Sequence, residues 1–232
     1  KLLVRFFYNE MKKFDLRISD IQSGGLHNAI PRDGWAVCAV PMKDKENIRI
    51  DANVYVSEIE EEYSVTEKSL KFYVESADAA DVIEKECAKK IIASLQAVDN
   101  GVFAMSQDID WLVETSSNLA SIHKNGNEIE IVTSQRSNIG SARKNMSATV
   151  AAAFELGGAE VFTTDGYPGW KLNPDSELLK LAVDSYKRLF NKEPKVLAIH
   201  AGLECGLFSE RYPHMDMVSF GPTPVSYTHL RA

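Results

Sequence analysis

Chemistry-bearing residues concentrate at three places in this sequence. The stretch Ser23–Arg32, SGGLHNAIPR, sets two glycines, His27, Asn28 and Pro31 between a strand-like LRIS and a strand-like WAVCAV. Loop tips carried by rigid strands are where polar side chains orient ligands, so His27 and Asn28 are candidate binding groups. A Gly-rich turn with both side chains simply in solvent accounts for the same composition, because turns favour Gly, Asn and Pro in any protein. Arg136 closes the run EIEIVTSQR. A guanidinium at a strand end can reach past the sheet and grip a carboxylate through two N–H donors, and a plain surface arginine is the alternative. HAGLECG, His200 to Gly206, directly follows the apolar KVLAI. That order puts Gly202 at the C-terminal end of a strand, the edge where open α/β sheets bind ligands, with room for backbone N–H groups to approach an anion.

Other arrangements fail on spacing. His200, Glu204, Cys205 and His214 are metal-ligand types without a recognised pattern such as HExxH, and a hydrogen-bonded strand-end histidine explains His200 more simply. Asp51, Asp108, Asp110 and Asp165 read as isolated carboxylates, and the acid-rich run 58–62 as a solvated edge. No Ser/His/Asp triad and no phosphate loop can be built.

The totals narrow the field. With 232 residues, 44% hydrophobic and 25% charged, the chain has ordinary globular composition and length enough for a real core. A net charge of −7 argues against nucleic acid, whose binding needs a concentrated basic surface. Cys38, Cys87 and Cys205 lie far apart without CxxC spacing, which favours a reducing compartment. No apolar run reaches the roughly 18 residues of a membrane helix.

Periodicity supplies the elements that must position these residues. Leu2, Leu3, Phe6, Phe7, Met11 and Phe14 make a helical stripe. Strands are expected in LRISDIQSG, in GWAVCAVPM, in NIRIDANVYVSEI with its period-two alternation, and in SLKFYVES. A helix is expected over 77–98 with Ser76 or Asp78 as its cap, then a hairpin closed by Asn125-Gly126, then a helix stopped by Gly157-Gly158. After it come strand AEVFTTDG, turn YPGW, helix DSELLKLAVDSYKRLFN, strand KVLAIHAG, the segment LECGLFSERY and strand DMVSFGP. The fold class is α/β: an α+β region with antiparallel hairpins up to about residue 170, then parallel-layer order from about 171, with the seam at Pro168, Trp170 and Pro174. The opening KLLVRFFYNEMKKF enters a helix with no capping residue ahead of it, so the chain is expected to be a piece of a longer protein.

SGGLHNAIPR, TSQRS, DGYPGW with NPDSELL, and IHAGLECGLF with DMVSFGPT stand in the order and spacing of one known group. Over residues 1–223 the chain resembles the Xaa-His dipeptidases, also called aminoacyl-histidine or β-Ala-His dipeptidases. These belong to the di-zinc peptidase superfamily that includes the carnosinases and succinyl-diaminopimelate desuccinylase. The resemblance implies an α+β lid domain inserted into an α/β catalytic domain. Residues 1–170 would be the lid, incomplete at its N-terminus, 171–223 the returning catalytic part, and 224–232 a non-matching tail. It implies hydrolysis of short peptides by water activated between two zinc ions, whose ligands and glutamate base would mostly precede Lys1.

Substrate-positioning roles are implied for Asn28, near the scissile amide or the substrate's C-terminal half, and for Arg136, on its terminal carboxylate. Gly202 would contribute backbone to the same pocket. His27 is the weaker member of its loop, because neighbouring side chains on an extended segment point opposite ways. The Gly-Gly pair and Pro31 would shape a lid loop that enters the active site. In the family a zinc-ligating histidine follows SFGPT within an HSPDE-like segment. His229 falls near that distance, but its THLRA surroundings do not match, and no ligand role is assigned to it. The implied partner is a small peptide, with no nucleic acid or membrane and with a homodimer left open, and the implied location is cytoplasmic. The isolated chain is expected to be inactive. Two rivals stay open: another deacylase or tripeptidase of the superfamily, and a non-catalytic lid module that binds small carboxylates or self-associates.

Overall fold

A computed structural model describes residues 1–78, 81–107, 109–166, 168–170, 173, 175–197 and 204–221, with the backbone alone of 223–224 and 230–231. By contacts the chain forms two compact units. The first is Lys1–Gly101, Ser117–Gln135 and Met146–Thr163; the second is Val102–Ser116, Arg136–Asn145 and Thr164–Ala232.

The first unit is built from helix α1 (Leu2–Lys13), strands β1 (Arg17–Gly24) and β2 (Gly34–Ala39), helix α2 (Lys45–Glu62) and helix α3 (Lys85–Ala97). Strands β4 (Val113–Asn125) and β5 (Glu128–Ser137) and helix α4 (Gly140–Leu156) contribute residues to both units, as does β3 (Gly101–Met105). The sheet order is β2-β1-β4-β3, with β5 also paired to β4. β1 runs antiparallel to β2 with Ser23 opposite Gly34, and antiparallel to β4 with Gly24 opposite Ser121. The expected hairpin turn at Asn125-Gly126 is present, with Gly126 at φ 62°.

Apolar spacing explains the packing. Val4, Phe6 and Phe7 of α1 are buried with Ile92 and Leu95 of α3, Ile18 and Ile21 of β1, and Met146, Val150 and Phe154 of α4 in one cluster. Fully burying such a side chain is worth about 1.5–3 kcal/mol, so this cluster is the main source of the unit's stability. Lys1 Nζ donates to the carbonyls of Leu95 and Val98, both at 2.6 Å, and so satisfies the C-terminal end of α3. α4 stops as expected: Gly158 takes φ +85° and Ala159 N–H returns to Phe154 O at 3.1 Å.

The structure differs from the sequence-based expectation in several elements. Residues 47–59 are not a strand but the middle of α2, with Ile48, Ala52, Tyr55 and Ile59 buried while Ile50 and Val54 stay exposed. Periods of 2 and 3.6 coincide at 48 and 52; only Tyr55 and Ile59 separate them, and tertiary packing selects the helix. Tyr55 stacks against Phe6 and Phe72 and donates its hydroxyl to Leu2 O at 2.8 Å. SLKFYVES forms no strand; Phe72 packs its ring on the core, but the backbone finds no partner strand.

The helix expected over 77–98 begins only at Lys85. Residues 81–84 form no helix, Ile83 N–H donating to Ile18 O at 2.7 Å, and the Glu84 carboxylate accepts from the N–H groups of Glu86 and Cys87 in place of Ser76 or Asp78. β3 carries no strong sequence signal and was not expected. AEVFTTDG forms no strand.

In the second unit, helix α5 (Glu177–Phe190) matches the expected helix, and the segment LECGLFSERY forms helix α6 (Glu204–Arg211). The Ser176 hydroxyl accepts from Leu179 N–H at 2.9 Å, and Asn191 closes α5 in the left-handed conformation at φ 51°. The expected parallel layers are not formed among the described residues: 195–197 and 216–221 lie outside any strand, and 198–202 and 222 fall outside the described residues. A parallel strand needs strands and helices on both sides, and Val196 and Leu197 are exposed.

Candidate functional site

The loop 25–33 is set by its base. Gly24 stands at φ +71°, and a Cβ there would run into the Ala120 carbonyl on β4, so only glycine fits at this crossing. Ser23 Oγ donates to Asp33 O at 2.8 Å across the loop's mouth. Asn118 on β4 then reaches under the loop, its Nδ2 donating to Ala29 O at 2.8 Å and to His27 O at 3.5 Å. Ala29 N–H bonds back to Leu26 O at 3.1 Å. The backbone around His27 and Asn28 is therefore held, while both side chains are exposed. Asn118 was not singled out in the sequence; a polar residue amid SSNLASI gives no sign that it ties a loop nearly ninety positions away.

Arg136 belongs to the second unit. It is half-buried at the end of β5, and no described residue forms an ion pair with its guanidinium. Its neighbour Ser137 is buried and shares a 2.9 Å hydroxyl–hydroxyl bond with Thr115 of β4, also accepting from Ile139 N–H at 3.0 Å. The strand end is thus fixed at Ser137, while no described residue accepts from the Arg136 guanidinium. The turn Pro168-Gly169 lies against this end: a Cβ on Gly169 would meet the Asn138 carbonyl, and one on Gly206 would meet the Pro168 carbonyl. Arg143 Nη1 donates to Asp165 O at 2.6 Å, tying the approach to that turn onto α4. Among the described residues, Asn138 Oδ1 and Arg143 Nε are buried with no hydrogen-bond partner.

His27 and Asn28 share one loop of the first unit; Arg136 sits in the second. Gly202, His200 and His229 lie outside the described residues, as does Asp108. Glu204 and His214 are exposed and Cys205 is half-buried. Among the described residues no three His, Cys, Asp or Glu side chains come together in a set able to hold a metal ion. The described residues therefore do not by themselves form a zinc centre. No helix among them is long and apolar enough to cross a membrane.

Asp51, read in the sequence as isolated, is not. It sits 2.9 Å from Lys13 Nζ, which also bonds Glu10 at 2.9 Å. Burial pushes the Glu10 carboxyl above its ordinary range, while the Lys13 hydrogen bond holds Asp51 below it. This trio joins α1 to α2 and is a packing feature of the first unit.

No family model matches the chain. It is 38% identical over 225 residues to the cytosol non-specific dipeptidase of Escherichia coli (strain K12), a match covering 96% of this chain and 46% of that protein. Its structure superimposes on the aminoacylhistidine dipeptidase of Vibrio alginolyticus with a TM-score of 0.87 at 37% identity, again over 96% of this chain and 46% of the other. The chain spans just under half the length of each, and over that span it is similar to the aminoacylhistidine and cytosol non-specific dipeptidases.

Proposed function

We propose that the chain is part of a dipeptidase that hydrolyses short peptides, with Xaa-His dipeptides of the β-Ala-His type as its preferred class. The observation that carries this reading is 38% identity to a dipeptidase along 96% of the chain. In this reading residues 1–170 are the lid and 171–223 the returning part of the catalytic domain, with 224–232 outside the match to the family's motifs. Zinc, held mostly by residues outside this chain, would supply the activated water.

The chain's own residues position the substrate. The anchored loop presents Asn28, with His27 beside it, to the scissile amide or the C-terminal half of the peptide. Arg136, whose donors no described residue takes up, pairs with the terminal carboxylate; a charge-assisted bond of that kind is worth about 1.5–3 kcal/mol. Gly202, outside the described residues, is assigned a backbone contact to the substrate on the resemblance of its HAGLECG motif. We place the protein in the cytoplasm, acting on small peptides and not on nucleic acid or membranes, with a homodimer as its assembly. The isolated 232-residue chain binds without hydrolysing, because the catalytic metals and base lie elsewhere.

A substrate panel tests the reading. The full-length protein, with zinc supplied, is expected to cut β-Ala-His and other Xaa-His dipeptides. Failure to cut any dipeptide overturns the proposal, and preference for acylated amino acids or tripeptides replaces it with the related deacylase or tripeptidase.

A further inference from the structure

Residues 26–29 form a β-turn, closed by Ala29 N–H donating to Leu26 O at 3.1 Å, with His27 and Asn28 at its two corners. Neither corner residue takes a positive φ, so the turn is of type I, which accepts ordinary side chains at both positions. One hydrogen bond closes such a turn but does not fix its direction at an exposed loop tip. Here the turn has a second support: Asn118 Nδ2 donates to Ala29 O at 2.8 Å and, more weakly, to His27 O at 3.5 Å. These are the carbonyls of the two residues flanking Asn28, and only the NH2 half of the amide can meet two acceptors.

The support is itself well fixed. Asn118 lies on β4 beside Leu119 and Ala120, which are buried, and Leu119 N–H donates to Asn100 Oδ1 at 2.8 Å. Two positions on, the Ala120 carbonyl is where a Cβ on Gly24 would collide, and the Pro31 ring closes over the same glycine, its Cγ 3.2 Å from that Cβ position. The arms of the loop thus meet at Gly24 over Ala120, and its tip is tied at Asn118, two residues along the same strand. A side chain that must meet a substrate to within about half an ångström needs a supporting shell of this kind.

We infer that Asn118 is a positioning residue for Asn28: its amide ties the carbonyls of the two flanking residues to β4 and so sets the direction from which Asn28 meets the peptide. Its consequence for hydrolysis rests on the dipeptidase reading above; the anchoring of the turn does not.

Four full-length proteins test it: the parent, Asn118→Asp, Asn28→Ala and the double variant, each assayed for β-Ala-His hydrolysis with zinc supplied. At neutral pH the aspartate offers two carbonyls nothing but acceptors, at nearly unchanged side-chain volume. Asn118→Asp should lower kcat/KM about tenfold in the parent and less than about twofold in the Asn28→Ala background, because a residue that acts through Asn28 has nothing to position once that side chain is gone. Amide exchange at Ala29 should quicken by about tenfold, with the thermal midpoint little changed. If the aspartate variant does not fold, Asn118→Ala takes its place in the same comparison. An unchanged kcat/KM, an equal loss in both backgrounds, or unchanged exchange at Ala29 would each overturn the inference. A parent that cuts no dipeptide, while Ala29 exchange still quickens in the variant, defeats the dipeptidase reading and leaves the anchoring by Asn118 standing.

Discussion

The two units spend their apolar residues differently. In the first, Phe6, Ile18, Ile59, Ile92 and Leu95 are almost wholly withdrawn from water, and polar atoms at helix ends have partners such as Lys1 on α3 and Glu84 ahead of it. In the second, Leu112 is the only buried aliphatic or aromatic side chain among the described residues, while Leu181, Leu189, Phe190, Phe208 and Phe220 face solvent. Local signals are equally good in both: α5 is capped as well as any helix of the first unit. Good capping and periodicity therefore specify a helix without giving it a core. What separates the units, among the described residues, is how much of each apolar stripe is packed.

The largest test of that contrast compares one leucine from each side. Leu95→Ala, at a fully buried position, should lose about 2–5 kcal/mol in chemical denaturation through lost burial and the cavity left behind. Leu189→Ala in the same chain should stay within about 0.5 kcal/mol, as surface changes do. Equal costs would mean that α5 is covered in solution. A smaller effect is expected at the base of the candidate loop. Gly24→Ala imposes a left-handed φ on a residue with Cβ, worth roughly 1–3 kcal/mol, besides the collision with Ala120. Amide exchange in residues 25–33 should rise with it, and unchanged exchange there would detach the loop's order from its base.

The smallest effect concerns pH. Burial raises the Glu10 carboxyl, so between the ordinary glutamate range and the raised value the folded state holds more protons than the unfolded chain. That contribution is present at low pH and lost as pH rises through the window. Glu10→Gln should therefore match the parent in acid and exceed it by about 1 kcal/mol at neutral pH. Asp51 pulls the opposite way in both proteins, its contribution being lost on acidification, so the informative quantity is the difference between the two curves. A variant less stable than the parent at neutral pH would show that the Lys13 bond outweighs the burial.

Much of this architecture could be read from the sequence where the signal was local. α1, α4, α5 and the Asn125-Gly126 hairpin each carry an unambiguous period or stop. α2 could not be read, because Ile48 and Ala52 satisfy a strand and a helix alike until Phe6 and Phe72 claim Tyr55. SLKFYVES and AEVFTTDG have strand composition but no neighbour to pair with, and a strand exists only as part of a sheet. At the candidate site, glycines and Pro31 announced the loop and the end of β5 announced Arg136. Asn118, which holds the loop, was invisible because its partners are backbone carbonyls distant in sequence. Gly202 and His229 lie where the structure describes nothing.

Arg136 carries the proposed recognition of the substrate's terminal carboxylate. The direct measurement is steady-state hydrolysis of β-Ala-His by the full-length protein and its Arg136→Ala variant, with zinc supplied. The expected result is a parent enzyme that cuts the dipeptide and a variant whose kcat/KM falls roughly 10- to 100-fold, with KM carrying much of the change and a substrate amidated at its C-terminus showing little difference between the two. A parent that leaves the dipeptide uncut, or a variant that cuts it with unchanged KM, would contradict the account.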